Sequence, residues 1–572
     1  MTELRNLVQY IKENRMKLPE MQRDYVWKST QVRDLLDSLY RKYPSGTILR
    51  WATTERVPTR EFAIDQQEDK TYLSYYLLLD GQQRLTSLSS VLKGEEVKVR
   101  DHKRPIDIYF NLDHPDKLQN LTKVSTDDDN TGTTEDEEEA QVNKLNEFNE
   151  RTFIVSNPLV RNQPNWISVT EAFRRQYELF EEVRERIDSM SNLSDEEKKA
   201  KRQKWSKRYQ NLLKIEEYDF QVCELPASLS YEEVTEIFVR VNSSGTKLKG
   251  SDLALAQITS KWRSSADEKG ALKEFEALVT ECQKFGWEVS IGIIVRALVS
   301  ILTGQSRFKV VGEMTKEELQ SGWKQTRKSF VSTIDYMKNT LGLENEEMLS
   351  SPYFMVLLAF LHDKKNYTLT DEENSLIKKW FLIANAKGRY SRGSSESMLD
   401  QDLFAVKNDN LTGLLDNLQA QFGRLDFTSS DFENKTTNSG IFKTMFTLMR
   451  YYGALDWSTK QLLSMNNLAI RNQIEYHHIF PQNFLKDTYD KKEIYDIANF
   501  TFIVKRTNVL ISDEDPAKYL PIVLDQCGEE NFKKHCIPTD RELWQIDRYK
   551  DFIQERRRLL LEMVNNYLKE LG

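Results

Sequence analysis

The chain has 572 residues, of which 39% are hydrophobic and 30% charged, and its formal net charge is −8. That length suits roughly three or four domains of ~150 residues. It excludes a disulfide-built scaffold, because the four cysteines are scattered, and a membrane span, because the longest apolar run, Val289 to Leu302, is short and carries Arg296. With no signal-like apolar stretch after Met1-Thr2-Glu3-Leu4-Arg5, the expectation is a cytoplasmic protein with no membrane partner.

The first elements alternate. Leu4 to Glu13 reads as a short helix. Leu18 to Trp27 reads as a polar-aromatic loop, and Ser29 caps a helix with Val32, Leu35, Leu36 and Leu39 on one face. Pro44-Ser45-Gly46 turns into a strand, Thr47 to Trp51. Tyr75 to Leu79 is a second strand, and Ile106 to Phe110 a third.

The second strand ends in Asp80-Gly81-Gln82-Gln83-Arg84, and Leu85, Leu88 and Val91 continue as a helix. Glycine at a strand end permits a tight turn, and the following helix offers free N–H groups to an anion. Arg84 could fork onto a phosphate, while Asp80 could hold a metal or position water. The glutamines suit orienting a water. The plain alternative is a capped turn with its polar residues in solvent. Gln22, Arg23, Tyr25 and Trp27 form a similar set, whose plain alternative is a surface loop with a packed tryptophan.

From Ser125 to Ala140 come eight acids and no base, which account for the whole net charge. The run reads as a solvated, mobile insertion at about 122–145. A sharper reading is a DNA mimic that shields a basic groove. After the acidic run the chain reads as mainly helical, and Thr170 to about Lys214 is long, charged and periodic. Tyr218 to Leu225 reads as a strand rejoining the first sheet, and Tyr231 to Val241 as a helix. From 265 to 460 the period is helical throughout.

Near the C-terminus stands Glu475-Tyr476-His477-His478-Ile479-Phe480-Pro481, with two of the chain's six histidines side by side. Asn499 and Asn508 follow. Phosphodiester hydrolysis needs a base to take a proton from water and a cation to stabilise the leaving oxygen. Neighbours on a strand face opposite ways, so the histidines divide the work. His478 is assigned as general base and His477 as metal ligand. Asn508 is assigned as second ligand, and Asn499 as the residue that holds the base imidazole through its amide oxygen. The order His, Asn, Asn is that of the HNH, or ββα-metal, nucleases. No two cysteines are close enough for a zinc knuckle, so Mg²⁺ or Mn²⁺ is expected. Basic patches for a DNA path are Arg471, Lys505 with Arg506, and Arg556-Arg557-Arg558.

Together these motifs carry a resemblance. Pro19-x-x-Gln22-Arg23-x-Tyr25-x-Trp27, Asp80-Gly81-Gln82-Gln83-Arg84-Leu85-Thr86 and Ile237-Phe238-x-Arg240-x-Asn242-x-x-Gly245-x-x-Leu248 resemble the N-terminal domain of GmrSD-type type IV restriction enzymes. Asp456-Trp457, the His477-His478 motif, Asn499, Asn508 and Pro516-x-x-Tyr519-Leu520 resemble the C-terminal HNH domain of that family, in single-chain members of SspE and BrxU type. The resemblance implies an α+β multidomain fold. Its parts are a ParB/sulfiredoxin-like domain over 1–264, a helical middle over 265–460 and an HNH domain over 461–572.

It also implies a phage-defence nuclease that nicks or cuts DNA, with modified phage DNA as the partner. A nucleoside triphosphate, GTP or ATP, would bind Asp80, Gly81, Gln82, Gln83 and Arg84. Gln22, Arg23, Tyr25 and Trp27 would shape a modification-sensing pocket. Homo-oligomers and partner proteins of a defence system stay open. Many relatives carry an acid where His477 stands, and histidine there favours Mn²⁺. Two rival readings remain: a non-enzymatic ParB-like DNA clamp, and an unselective nuclease toxin. The clamp would not require the two histidines and two asparagines together. The toxin is disfavoured by the acidic balance.

Overall fold

Leu4, Leu7, Val8 and Ile11 recur at helical spacing, and all four are buried along one face of α1 (Leu4–Lys12). The structure is a computed structural model. It describes the chain except residues 20–26, 55–58, 61–73, 101, 103, 117–144, 192, 245–249, 264–269, 392 and 466–472. Gln22, Arg23, Tyr25, Gly245, Leu248, Arg471 and the acidic run therefore lie outside the described residues. The chain divides into two compact units, Met1–Leu248 and Lys249–Gly572.

In the first unit the strands are β1 (Thr2–Glu3), β2 (Met16–Pro19), β3 (Thr47–Thr53), β4 (Thr59–Arg60), β5 (Tyr75–Asp80), β6 (Ile108–Asn111), β7 (Phe153–Val155), β8 (Trp166–Ser168) and β9 (Asp219–Leu225). A mixed sheet runs in the order β1-β9-β3-β5-β2-β4. β9 lies parallel to β3, with Ile48 opposite Val222, so the strand after the long helical stretch does rejoin the first sheet. β3 and β5 are antiparallel, which brings Leu49 opposite Asp80. Helices α2 (Ser29–Tyr40) and α3 (Gln82–Leu92) pack Leu35, Leu36, Leu85 and Leu88 into one core with Ile48, Leu78 and Phe220. β6 joins β7 and β8 in a separate three-stranded sheet.

The helical stretch expected over 170–214 is three helices: Val169–Arg175, Tyr177–Asp188 and Asp195–Leu213. Gln176 breaks the first junction with a φ of 35°. At the second, Ser194 and Glu197 form a capping box that starts a new helix.

The second unit is mainly helical. Its described helices include α4 (Ile291–Thr303), α5 (Lys316–Asn339), α6 (Tyr353–Lys364), α7 (Asp371–Lys387) and α8 (Gly440–Tyr451). Every residue from Phe354 to Leu361 is buried, as in a helix packed on all sides. The apolar core continues from Ala254 to Leu568 without a break. The helix Gly250–Lys261 therefore belongs to this unit, and the boundaries expected at 265 and 461 are not where the compact units part. Among the described residues no helix is long and apolar enough to cross a membrane.

Within this unit β10 (Ile474–His478) pairs antiparallel with β11 (Phe500–Val504). All five β11 residues are buried, and Phe502 lies 4.9 Å from Phe442 and 5.1 Å from Phe446 of α8. β11 runs directly into α9 (Lys505–Ile511), followed by α10 (Pro516–Cys527) and α11 (Tyr549–Glu570).

Candidate active site

The strand pair sets the two histidines. In the β10–β11 register His477 stands opposite Thr501 and His478 opposite Phe500. The rings then meet different neighbours, as strand alternation predicts. His477 is 3% exposed and lies edge-on to Trp457 and Tyr519. The His478 ring lies 4.1 Å from Phe500 and 5.1 Å from Tyr495. Both line a cavity of about 270 Å³ with Tyr476, Pro481, Asn508 and Asp513.

Because β11 leads straight into α9, Asn508 folds back onto β10. Its Oδ1 lies 2.7 Å from His477 Nδ1, and its Nδ2 donates to Glu475 Oε2 at 2.7 Å. The junction is held by Asp456, a fully buried carboxylate. Asp456 accepts from Val504 N at 2.8 Å and from Thr507 Oγ1 at 2.6 Å, and it also caps Ser458 and Thr459. An anion so fully hydrogen-bonded tolerates burial, and it fixes the start of the helix that carries Asn508.

Proton bookkeeping identifies what faces the cavity. The Tyr519 hydroxyl donates to the Ile479 carbonyl at 2.8 Å, which commits its single proton. His477 Nε2 lies 3.2 Å from the same hydroxyl oxygen. The amide proton donated to Glu475 turns Asn508 Oδ1 toward His477, and the 2.7 Å contact is a hydrogen bond that the ring Nδ1–H donates to that oxygen. If the ring proton moves to Nε2, where the Tyr519 oxygen can accept it, Nδ1 and Asn508 Oδ1 are free as a donor pair that fits a cation. Burial pushes the His477 pKa down to about 4, against the smaller opposing effect of the hydrogen bond to Asn508, so the ring is neutral at neutral pH. Among the described residues no three or more His, Cys, Asp or Glu side chains cluster as a metal cage.

His478 Nε2 is buried and, among the described residues, has no hydrogen-bond partner. Burial lowers its pKa, and Asp513 opposes that shift. A neutral, unpaired imidazole nitrogen at a polar cavity is equipped to accept a proton.

Asn499 requires a correction. It was expected to orient the His478 ring, but its amide goes to the backbone. Oδ1 accepts from Phe480 N at 2.9 Å, and Nδ2 donates to the Phe480 and Ile494 carbonyls at 3.1 and 3.0 Å. It braces the chain just after His478 instead. The functional residues that sequence reasoning missed are Glu475, Tyr519 and Asp456. All three sat within quoted motifs, but their roles depend on partners distant in sequence.

The arginine run of α11 also needs correcting as a DNA path. Arg556 is buried and donates to the carbonyls of Ala498, Cys536 and His535. Arg557 pairs with Asp496, and Arg558 with Glu555 and Glu562. Lys505 and Arg506, beside the cavity, are exposed.

In the first unit, Gly81 has a φ of +98°, and a Cβ there would stand 2.4 Å from Ile48 Cδ1, so the turn needs glycine on both counts. Arg84 does not project freely. It donates to the carbonyls of Ser45 at 2.5 Å and Thr47 at 2.8 Å, and to Asp80 at 3.1 Å. Gly46 makes room, since a Cβ there would collide with Arg84 Nη1. The fork expected on a phosphate thus clamps the loop before β3. Gln83 is buried in the first turn of α3, and Gln82 is partly exposed beside it. Trp27 is partly buried against the core of this unit, a packing position.

Residues 4–259 match the family described as GmrSD restriction endonuclease, N-terminal domain. The match covers the first unit and the opening helix of the second. The chain is also 24% identical over 570 residues to the uncharacterized protein MJ0686 of Methanocaldococcus jannaschii, covering 91% of this chain and 87% of that protein. Coverage that broad takes in residues of both units.

Proposed function

We propose that the chain is a modification-dependent DNA endonuclease of phage defence, with an HNH catalytic site in the second unit. The observation that carries this reading is one cavity lined by the hydrogen-bonded pair His477 and Asn508 beside the His478 ring, whose Nε2 has no partner among the described residues. His477 and Asn508 would hold Mg²⁺ or Mn²⁺, with water completing the shell. A bound divalent ion would supply stabilisation of the leaving oxygen. His478 takes the proton of the attacking water. Tyr519 accepts the His477 proton at Nε2 when Nδ1 turns to an ion, Glu475 holds the Asn508 amide, and Asn499 fixes the backbone next to the base.

In the first unit, the reading places GTP or ATP at the Asp80–Arg84 turn. There the N–H groups of α3 and the glutamines meet phosphate, and Arg84 serves as the scaffold. A DNA clamp or an unselective toxin explains this combination less well. A clamp needs no unpartnered imidazole beside a His–Asn pair, and a toxin needs no restriction-type first unit.

The test is cleavage of matched modified and unmodified phage DNA, with and without each nucleoside triphosphate and divalent ion. Metal-dependent cutting that favours modified DNA is expected. Equal cutting of both DNAs would remove modification dependence. Cutting unaffected by EDTA would remove the metal site.

A further inference from the structure

Two aliphatic side chains stand in water beside the catalytic cavity. Val509 and Leu510 are 68% and 67% exposed. They directly follow the proposed ligand Asn508 on α9, which opens with exposed Lys505 and Arg506. An exposed aliphatic residue alone means little. Here the arrangement is specific. At about 100° per residue, Lys505, Arg506, Val509 and Leu510 fall within an arc of roughly 140°. Thr507 and Asn508 both lie outside that arc, Thr507 buried and Asn508 lining the cavity. One short helix therefore presents a cationic pair, an aliphatic pair one turn further on, and a cavity-lining amide between them.

The charge on this face is available. Lys505 makes only a 3.7 Å contact with Glu475, whereas in α11 Arg556 is buried, Arg557 pairs with Asp496, and Arg558 pairs along its own helix. Two cations one turn from two aliphatic groups match a duplex in both parts. Phosphates meet Lys and Arg, and apolar side chains enter between base pairs. The separation of one turn, ~5 Å, lies within two base steps of ~3.4 Å.

We propose that the outer face of α9 is the surface that grips duplex DNA. Lys505 and Arg506 hold the backbone, and Val509 with Leu510 wedges open a base step next to the phosphate in the cavity. The proposal rests on the nuclease reading above. It adds a substrate property: cleavage favours steps that unstack easily, the pyrimidine–purine steps, without any base-specific contact.

The experiment uses the full chain with His478→Ala, so that bound DNA stays intact, and a short duplex carrying the fluorescent base aminopurine at several positions. Aminopurine brightens when it is unstacked. The expected results are brightening on binding, and its loss together with a roughly tenfold or greater loss of affinity in Val509→Gln/Leu510→Gln. Because counterion release is untouched, the salt dependence of that variant should keep its slope. Lys505→Ala and Arg506→Ala should each lower the slope by about 1. Val509→Ile/Leu510→Met keeps the face apolar and should retain brightening.

Equal affinity and brightening in the glutamine variant would overturn the wedge while leaving the nuclease reading intact. So would a parent protein that binds without brightening. Loss of self-association in the glutamine variant with unchanged DNA binding, seen by sedimentation, would assign the face to a second copy of the chain and overturn the proposal. No DNA binding at all would sink the nuclease reading along with it.

Discussion

The ends of β10 and β5 both gather polar side chains at a strand terminus, and they resolve their hydrogen bonding in opposite ways. At β10, His477 and Asn508 satisfy each other, but among the described residues His478 Nε2 is buried without a partner. At β5, Arg84 satisfies Asp80 and two carbonyls of the preceding loop. Burying an unsatisfied polar atom costs free energy, so an arrangement that keeps one points to a reactant that meets it. A saturated guanidinium points to architecture. The same residue types thus read as chemistry in one place and as scaffold in the other.

The largest effect should come from the base. His478→Ala should lower DNA cleavage by ~10²–10⁴-fold or more and leave the melting temperature nearly unchanged. Wild-type cleavage by this variant would make the β10 end a structural site like that of β5. The depressed His478 pKa gives this a pH signature. The ring stays an unprotonated base below its ordinary value of 6.5, so the acid limb of the rate profile should have its midpoint under 6.5.

Acidification should come next. Burial holds His362, His477 and His535, all in the second unit, down at about 4. The unfolded chain then binds more protons than the folded one between about pH 6.5 and 4, so stability rises with pH across that window. It is fully present above 6.5 and is lost as pH falls toward 4. At about pH 5 each buried ring should cost about 2 kcal/mol relative to neutral pH. Urea unfolding at the two pH values, without divalent ion, measures this. Flat stability would mean that these rings are solvated.

Arg84→Ala tests the scaffold side. Two charge-assisted bonds to carbonyls, each worth ~1.5–3 kcal/mol, are lost, so a stability loss of about 3 kcal/mol is expected in thermal or urea unfolding. Arg84→Lys should not restore it, because one ammonium cannot reproduce the planar fork. If Arg84→Ala instead melts like wild type yet no longer binds nucleotide, the guanidinium is a ligand and the contrast with β10 disappears.

How much of this was readable before folding follows the reach of each interaction. The Gly81 turn, the strand Asp219–Leu225 and the order His477, His478, Asn508 depend on local pattern and spacing, and the sequence carries them. The clamp of Arg84 depends on carbonyls 37 and 39 positions away, and backbone carbonyls leave no mark in a sequence. Asn499 was legible as an amide near the base but not as one aimed at Phe480 and Ile494. Tyr519 lies 42 positions from His477, and its role emerges only from counting protons among three groups. Arg556, Arg557 and Arg558 look alike in the sequence, and only packing separates a buried arginine from two paired ones. The two-unit division was hidden for a similar reason. Helices of the middle region and strands of the candidate site share one apolar core, and sequence period does not report which core an element joins.

Tyr519→Phe should have a smaller effect than loss of the base, and it addresses how His477 could release its Nδ1 to an ion. Without the hydroxyl, Nε2 has no acceptor, so the ring proton stays on Nδ1, hydrogen-bonded to Asn508, and blocks a cation. Partners that fix a ligating histidine are worth ~10–100-fold in metal affinity. Calorimetric titration with Mn²⁺ should therefore show a loss in that range, with the fold retained. Unchanged affinity would mean that Tyr519 takes no part in freeing Nδ1 and would remove the argument for His477 as a ligand through that atom.

The smallest effect should be at Arg558. It is exposed, and its guanidinium lies 2.8 Å from Glu555 and 3.1 Å from Glu562 on the same helix. Such surface pairs contribute little to stability, and carboxylates on either side already cancel the charge a phosphate would seek. Arg558→Ala should leave the melting temperature, the affinity for duplex DNA and its salt slope unchanged. Arg506 is an arginine too, on the exposed face of α9 beside the cavity, and its removal should flatten the slope by about 1. Both variants measured side by side in one salt titration separate cation count from cation placement. If Arg558→Ala flattens the slope as much as Arg506→Ala, DNA runs along α11 as well, and the carboxylates of that helix must give way when it binds.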